Sequence, residues 1–306
     1  MAQRHVVILG GTGFVGRHLV ARLLRGGDRI TVLSRGVDAG KRALKPQGAS
    51  LIEGDVTDPG FLAAVLDDAD AVVNLVGILN EKGDNGRGFE QVFVGITDAL
   101  TTAMRQMGVR RLLQMSALNA GHGDSHYLQS RGRAEQHVRA SGLDWTLFRP
   151  SVIAGPGDGL FCRFDGLLRF APVLPIGRAD AKFQPVWVED VAEAFARALD
   201  NPASIGETYE LVGPDVMSLA QIVRRTARAR GRLRLVVGLP QALGRLQANI
   251  GEWLPGKPIS RDNWRSLQTD SVSFNDGLRQ LGIEATAIEP KLPEILAGCR
   301  RMDVPA

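Results

Sequence analysis

Through its first 150 residues the chain alternates short apolar runs with longer stretches in which apolar residues recur every three or four positions. Uninterrupted short runs suit strands buried on both faces and the amphipathic stretches suit crossover helices, so the pattern predicts a parallel sheet wrapped by helices. "HVVIL" (5–9) reads as the first strand, "FVGRHLVARLLRGG" (14–27) as a helix stopped by glycines, and "RITVLS" (29–34) as the second strand. "SLIEGDVTDP" brings a third strand and then a helix start, with Asp58 as N-cap and Pro59 at the first helical position. "AVVNLVG" (71–77) is the fourth strand, and after a loop rich in glycine and charge a long helix is predicted over 89–107. "LLQMSAL" and "DWTLFRP" supply two more strands, and the segment opening with "SHYLQSRGRAE" (125–135) is the helix between them.

Beyond Pro150 the rhythm changes. "VIAGPGDGLF" and "PVLPIG" are loop-rich, "VEDVAEAFARALDNP" is a helix ended before a proline, and "SLAQIVRRTARARG" opens on a Ser-x-x-Gln capping box and stops at Gly231. The expected organisation is a Rossmann-type, doubly wound domain over 1–150 and a smaller α/β lobe over 151–306, with 184–200 returning to the first domain. In "LPQALGRLQANIGEWLP", Leu239, Leu243, Leu246, Ile250 and Trp253 recur at helical spacing. The expectation is a helix packed by that face on its own lobe, beside a solvated basic run of Arg224, Arg225, Arg228, Arg230, Arg232 and Arg234. The alternative is a segment that docks a partner or rests on an anionic membrane.

Composition narrows the class. With 44% hydrophobic and 23% charged residues, the 306-residue chain can bury a full core. Its net charge of +4 is spread among 37 basic and 33 acidic residues without a nucleic-acid motif or interleaved aromatics, so nucleic acid is not an expected partner. Lysine occurs only at Lys41, Lys45, Lys82, Lys182, Lys257 and Lys291, so arginine carries nearly all the positive charge. Cys162 and Cys299 are far apart and form no C-x-x-C pair, which predicts buried thiols and no disulfide. A first strand at His5 leaves no room for a leader, and no apolar run approaches the ~20 residues of a bilayer span. The expected location is the cytoplasm, with peripheral contact to the inner face of a membrane as the alternative.

Chemistry is concentrated in "VILGGTGFVGRHL", where Gly10, Gly13 and Gly16 stand three apart between a strand and a helix. A chain that turns tightly, approaches a pyrophosphate with bare backbone and lets the helix lie close to the sheet needs glycine at such positions. Free N–H groups at the helix start would hold the phosphates, placing Thr12, Phe14 and Val15 beside the dinucleotide. At the end of the second strand, where NAD-binding chains carry an acid for the ribose hydroxyls, stand Ser34 and Arg35. A hydroxyl and a guanidinium suit a 2'-phosphate, so NADP(H) is expected in preference to NAD, with Arg17 as a second cation. Asp55 could accept from the adenine amino group while Val56 packs on the ring. Leu75, Val76 and Gly77 follow the fourth strand, where backbone passes close to the cofactor.

Tyr127 and Arg131 are four residues apart and share a helix face, which puts a cation beside a phenol. "GHGDSH" holds His122, Asp124 and His126 in a glycine-rich loop that does not set ligand spacing, so no metal site is expected. Glu189 and Asp190 read as helix-capping acids, and Gln184 and Trp187 as candidates for the cleft or the core.

"GGTGFVG", "GDVTD", Tyr127 with a basic residue four on, "FRPSVIAGPGD" and "PVWVEDVAEAF", in this order, resemble the extended short-chain dehydrogenase/reductase superfamily over essentially the whole chain. "MSALNA", "SGLDWTLFRPSVIAGPGD" and "ISRDNWRSLQTDSVS" resemble, more narrowly, the atypical branch that includes the NADPH-binding accessory subunit of mitochondrial complex I and its bacterial relatives. The resemblance implies a Rossmann-type domain, a small C-terminal substrate lobe and bound NADP(H), with Ser116, Pro150 and Val152 beside the cofactor. It also implies a catalytic Asn, Ser, Tyr and Lys, which fall on Phe93, Leu118, Tyr127 and Arg131. Only the tyrosine is retained, with Ser116 as the nearest hydroxyl to the missing serine. The expected function is therefore a cofactor-binding protein with an incomplete catalytic set, its NADP(H) structural or redox-sensing and linked to respiratory-chain or quinone-related processes. The alternative is an NADP(H)-dependent oxidoreductase or epimerase that acts on a small carbonyl or quinone-like substrate through Tyr127.

Overall fold

A seven-stranded sheet forms the centre of the protein in its computed structural model, which describes residues 3–36, 48–254 and 259–299. Lys41, Lys45 and Lys257 lie outside the described residues. The strands are β1 (His5–Leu9), β2 (Arg29–Ser34), β3 (Ser50–Glu53), β4 (Ala71–Asn74), β5 (Arg111–Met115), β6 (Asp144–Pro150) and β7 (Thr208–Leu211). Their order is β7-β6-β5-β4-β1-β2-β3, and every neighbouring pair is parallel. Strand order reverses between β1 and β4, which opens the crevice where doubly wound sheets receive ligands.

The helices of the first part are α1 (Phe14–Arg25), α2 (Pro59–Leu66), α3 (Ile96–Met107) and α4 (His126–Ala140). Val6 and Ile8 of β1 enter the core on the side of α1, with Leu19 and Val20, whereas Val7 and Leu9 enter the opposite core with Leu100 and Met104 of α3. Burial on both faces explains why β1 reads as a continuous apolar run rather than an alternation. Asp58 caps α2 by accepting from Gly60 N at 2.9 Å, with Pro59 at the first position. The long helix predicted over 89–107 is a short turn at Arg87–Phe89, a π-helical segment at Glu90–Gly95 and then α3.

Later in the chain come α5 (Phe161–Phe170), α6 (Val188–Asp200), α7 (Leu219–Ala229), α8 (Gln241–Gly251), α9 (Arg261–Ser266) and α10 (Leu292–Cys299). Helix α6 packs on α1, where Glu189 bonds His18 at 2.6 Å and Glu193 pairs with Arg22 at 2.5 Å. Ser218 and Gln221 form the capping box of α7. Short strand pairs accompany these helices: Ile153–Ala154 with Val186–Trp187, Lys182–Phe183 with Met217–Ser218, and Val173–Gly177 with Leu235–Leu239.

Three expectations are corrected. Cys162 on α5 and Cys299 on α10 form a disulfide, 137 residues apart in sequence, because the two helices pack side by side. Helix α8 turns Leu243, Leu246 and Ile250 to solvent and packs instead through Gly244, Ala248 and Gly251. Glu189 and Asp190 tie α6 to other elements rather than capping it: beyond the His18 contact, Asp190 accepts from the N–H and hydroxyl of Thr286 at 2.7 and 2.9 Å.

Candidate functional site

The glycine-rich turn leaves β1 with Gly10 at φ +79°, a conformation that favours glycine. A Cβ on Gly16 would lie 2.3 Å from the Gly10 carbonyl oxygen, and one on Gly10 would crowd the Leu75 backbone at 3.1 Å. The turn is thus pressed against both the start of α1 and the chain leaving β4. No side chain caps α1, whose first turn begins at Phe14 and Val15, directly after Thr12 and Gly13. From across the crevice the loop after β6 approaches the same place: a Cβ on Gly155 would meet Val188 at 2.4 Å and the Phe14 ring at 3.2 Å. Pro150, the last residue of β6, and Ser151, the first of that loop, are buried, and Val152 is held by its carbonyl, which accepts from Val186 N.

At the end of β2, Ser34 donates its hydroxyl to the Gly36 carbonyl at 3.1 Å. Arg35 is exposed and has no salt-bridging carboxylate among the described residues, and Arg17 is half-buried and likewise unpaired there. Asp55 accepts from the N–H and hydroxyl of Thr57. Those bonds, with the nearby Arg35 charge, hold its carboxyl below the usual range. Val56 is buried in the α3-side core.

Arg131 is the most constrained of these groups. Its Nη1 donates to the Met115 carbonyl at 2.8 Å, its guanidinium lies 3.8 Å over the Phe93 ring, and a Cβ on Gly77 would come within 2.8 Å of Nη2. The side chain is 5% exposed, yet its Nε has no hydrogen-bond partner. Tyr127 packs edge-on to Phe89 and Phe93, with ring centroids 5.8 and 5.5 Å away. The structure therefore brings Tyr127, Arg131, Phe93, Gly77 and the strand-end carbonyl of Met115 into one cluster, which abuts the glycine turn through Leu75 and Val76. Leu118 is buried and carries no hydroxyl. Ser116, at the end of β5, donates to Glu135 at 2.7 Å.

Two supporting acids were not anticipated from the sequence. Glu135 is almost fully buried and accepts from Ser116, from Arg149 through two bonds of 2.8 and 2.6 Å, and from Arg139. Burial alone would raise its pKa, but the Arg149 and Ser116 bonds prevail and hold it below the usual range. Asp262, on α9, accepts from the N–H groups of His126 and Tyr127 at 2.7 and 3.1 Å and from the Ser125 hydroxyl. It thereby clamps the first turn of the helix that carries Tyr127. An aspartate that follows a capping serine is an ordinary helix-start signal, so nothing local marked its reach across 136 residues. Asp84, His126 and Asp262 bring candidate ligand atoms within 4.8 Å of one another, but Arg265 bridges both carboxylates with its own charge.

A glycine cradle that a single Cβ would fill, next to an orphaned buried guanidinium nitrogen, fits a dinucleotide better than a bare turn. A family model described as NAD(P)H-binding matches residues 10–202. The chain belongs to the NAD(P)H-binding family. Within that family it is 31% identical over 292 residues to NADH dehydrogenase [ubiquinone] 1 alpha subcomplex subunit 9 of Arabidopsis thaliana, covering 89% of this chain and 71% of that one. It is also 28% identical over 239 residues to a ceramide reductase of Caulobacter vibrioides, covering 78% and 74%. The fold superposes on Thermus thermophilus UDP-glucose 4-epimerase, solved in complex with NAD, with a TM-score of 0.78 at 20% identity over 97% of this chain and 99% of that one. At that identity the likeness concerns the family's fold alone.

Proposed function

We propose that this family member holds NADP(H) as a structural or redox-sensing cofactor and that its catalytic set is incomplete. The observation that carries the reading is the Arg131–Phe93 contact. Where the superfamily places a lysine and an asparagine, this chain has a guanidinium laid on an aromatic ring, and where it places a serine the chain has Leu118. The pyrophosphate would rest on Gly10, Thr12, Gly13, Phe14, Val15 and Gly16. Ser34 and Arg35 would meet the 2'-phosphate, with Asp55 and Val56 at the adenine and Leu75, Val76 and Gly77 along the middle. Tyr127, Arg131, Ser116, Pro150 and Val152 would enclose the nicotinamide end, and the orphaned Arg131 Nε supplies a donor there. Arg35 in place of an acid supports NADP(H), and the likeness to a subunit of NADH dehydrogenase [ubiquinone] supports a respiratory-chain or quinone-related setting. Purified protein should retain NADP(H), identified by mass spectrometry, and should bind NADPH more tightly than NADH by calorimetry. Equal affinities would remove the preference.

A second reading is favoured by the survival of Tyr127 beside a cation. In it the protein is an oxidoreductase or epimerase acting on a small carbonyl or quinone-like substrate. The bound nicotinamide would supply hydride, and the Tyr127 hydroxyl would give a proton to the substrate oxygen. Oxidation of NADPH by a panel of carbonyl and quinone acceptors, abolished by Tyr127→Phe, would establish it. Failure of every acceptor leaves the first reading.

A further inference from the structure

Helix α8 packs by its small side. A Cβ on Gly244 would lie 2.6 Å from the Trp264 ring and one on Gly251 would lie 2.4 Å from the Ile259 carbonyl oxygen, so glycines bring the helix close to the lobe. Gln247 fastens it by accepting from Gly177 N at 3.0 Å and donating to the Pro175 carbonyl at 2.8 Å. Its large apolar side chains therefore point away: Leu246 is 51% exposed, Ile250 55% and, just beyond the helix, Trp253 81%. The adjoining strand pair adds to this face. Val173, Leu235 and Val237 are exposed while Leu174, Ile176 and Val236 are buried, and Phe170 and Leu233 project from its margins. So many large apolar side chains on adjoining elements exceed the scatter normal for a monomer's surface.

Charge accompanies the patch. From Leu219 to Gly251 the chain carries seven arginines and no acidic residue. Arg228 and Arg245 have no carboxylate partner among the described residues, Arg234 donates only to the carbonyls of Leu168 and Leu233, and Arg169, also without one there, lies beside the exposed Phe170 ring. A second copy of this chain would bring like charges together. An acidic bilayer satisfies both features, since apolar side chains reach the acyl boundary while guanidinium groups bind headgroup phosphates.

We propose that the face formed by α8 and the Val173–Gly177 and Leu235–Leu239 strands docks on an anionic bilayer, with Leu246, Ile250 and Trp253 inserted. This goes beyond the cofactor reading and does not rest on it. The test is co-sedimentation of the full chain with phosphatidylcholine vesicles with and without phosphatidylglycerol, together with tryptophan emission. Binding is expected only with phosphatidylglycerol, with a blue shift and weakening at high salt. The double variant Leu246→Glu/Ile250→Glu should lower affinity by about tenfold or more, and Arg228→Glu/Arg245→Glu by about tenfold, with unchanged melting temperatures. Equal binding to neutral vesicles, no binding to either, or a dimer dissociated by the apolar variant would each overturn it.

Discussion

The guanidinium carbon of Arg131 lies 3.8 Å from the centroid of the Phe93 ring. A planar guanidinium stacks on an aromatic face as a lysine ammonium does not, so Phe93 and Arg131 make one physical unit. A double-mutant cycle between Phe93→Leu and Arg131→Lys should therefore show a coupling of about 1–2 kcal/mol in urea unfolding. Additive effects would mean that the two substitutions are independent.

The same cluster should govern the cofactor. Arg131→Met removes the only cation in it while keeping a similar volume, and NADPH affinity is expected to fall about tenfold or more by calorimetry. The fold should survive, as judged by circular dichroism. Unchanged affinity would place Arg131 outside the nicotinamide site.

Gly16→Ala tests the other end. Its Cβ would sit 2.3 Å from the Gly10 carbonyl and 2.6 Å from Gly11 Cα, backbone atoms that cannot swing aside. The turn must open, and nucleotide binding should be lost in fluorescence titration. A variant that binds normally would show that the turn tolerates a wider helix entry.

Much of the first half of the chain was legible because its signals are local. Val6, Val7, Ile8 and Leu9 are apolar without alternation since β1 is covered on both faces, and Gly10, Gly13 and Gly16 are close in sequence as well as in space. What stayed hidden depends on distant packing. Leu243, Leu246 and Ile250 define a helix face, but so do Gly244, Ala248 and Gly251, and periodicity does not say which one the lobe will cover. Cys162 and Cys299 meet only because α5 and α10 are neighbours. Ser116 is beside the expected site, yet its hydroxyl is engaged by Glu135, nineteen residues further along the chain, a pairing that no local pattern announces.

Asp262 makes its contribution through the backbone of α4, so it is a positioning residue. Asp262→Ala leaves the N–H groups of His126 and Tyr127 without their acceptor, at a cost of about 1–3 kcal/mol. Urea unfolding should show a lower midpoint with an unchanged slope. NADPH affinity should weaken as well, because Arg131 is one turn along the same helix, and Asp262→Asn, which keeps one acceptor, should restore part of both losses.

Asp158 supplies a pH signature. It is fully buried, accepts from Gly155 N at 3.3 Å and Phe161 N at 2.7 Å, and burial pushes its pKa up from 3.8 to about 6. Between those values the folded chain keeps a proton that the unfolded chain has released, so this group's contribution to stability falls as pH rises, by about 3 kcal/mol once both states are ionised. Glu135 has the opposite sign: its depressed pKa gives stability above the unfolded value that is lost as pH falls. Asp158→Asn cannot titrate, and any lost hydrogen bond costs it the same at every pH. The difference in unfolding free energy between variant and wild type should therefore shift in the variant's favour by about 2 kcal/mol from pH 4 to pH 7, with Glu135 cancelling because both proteins contain it. A difference that stays flat across this range would mean that Asp158 ionises in the folded protein at its ordinary pKa.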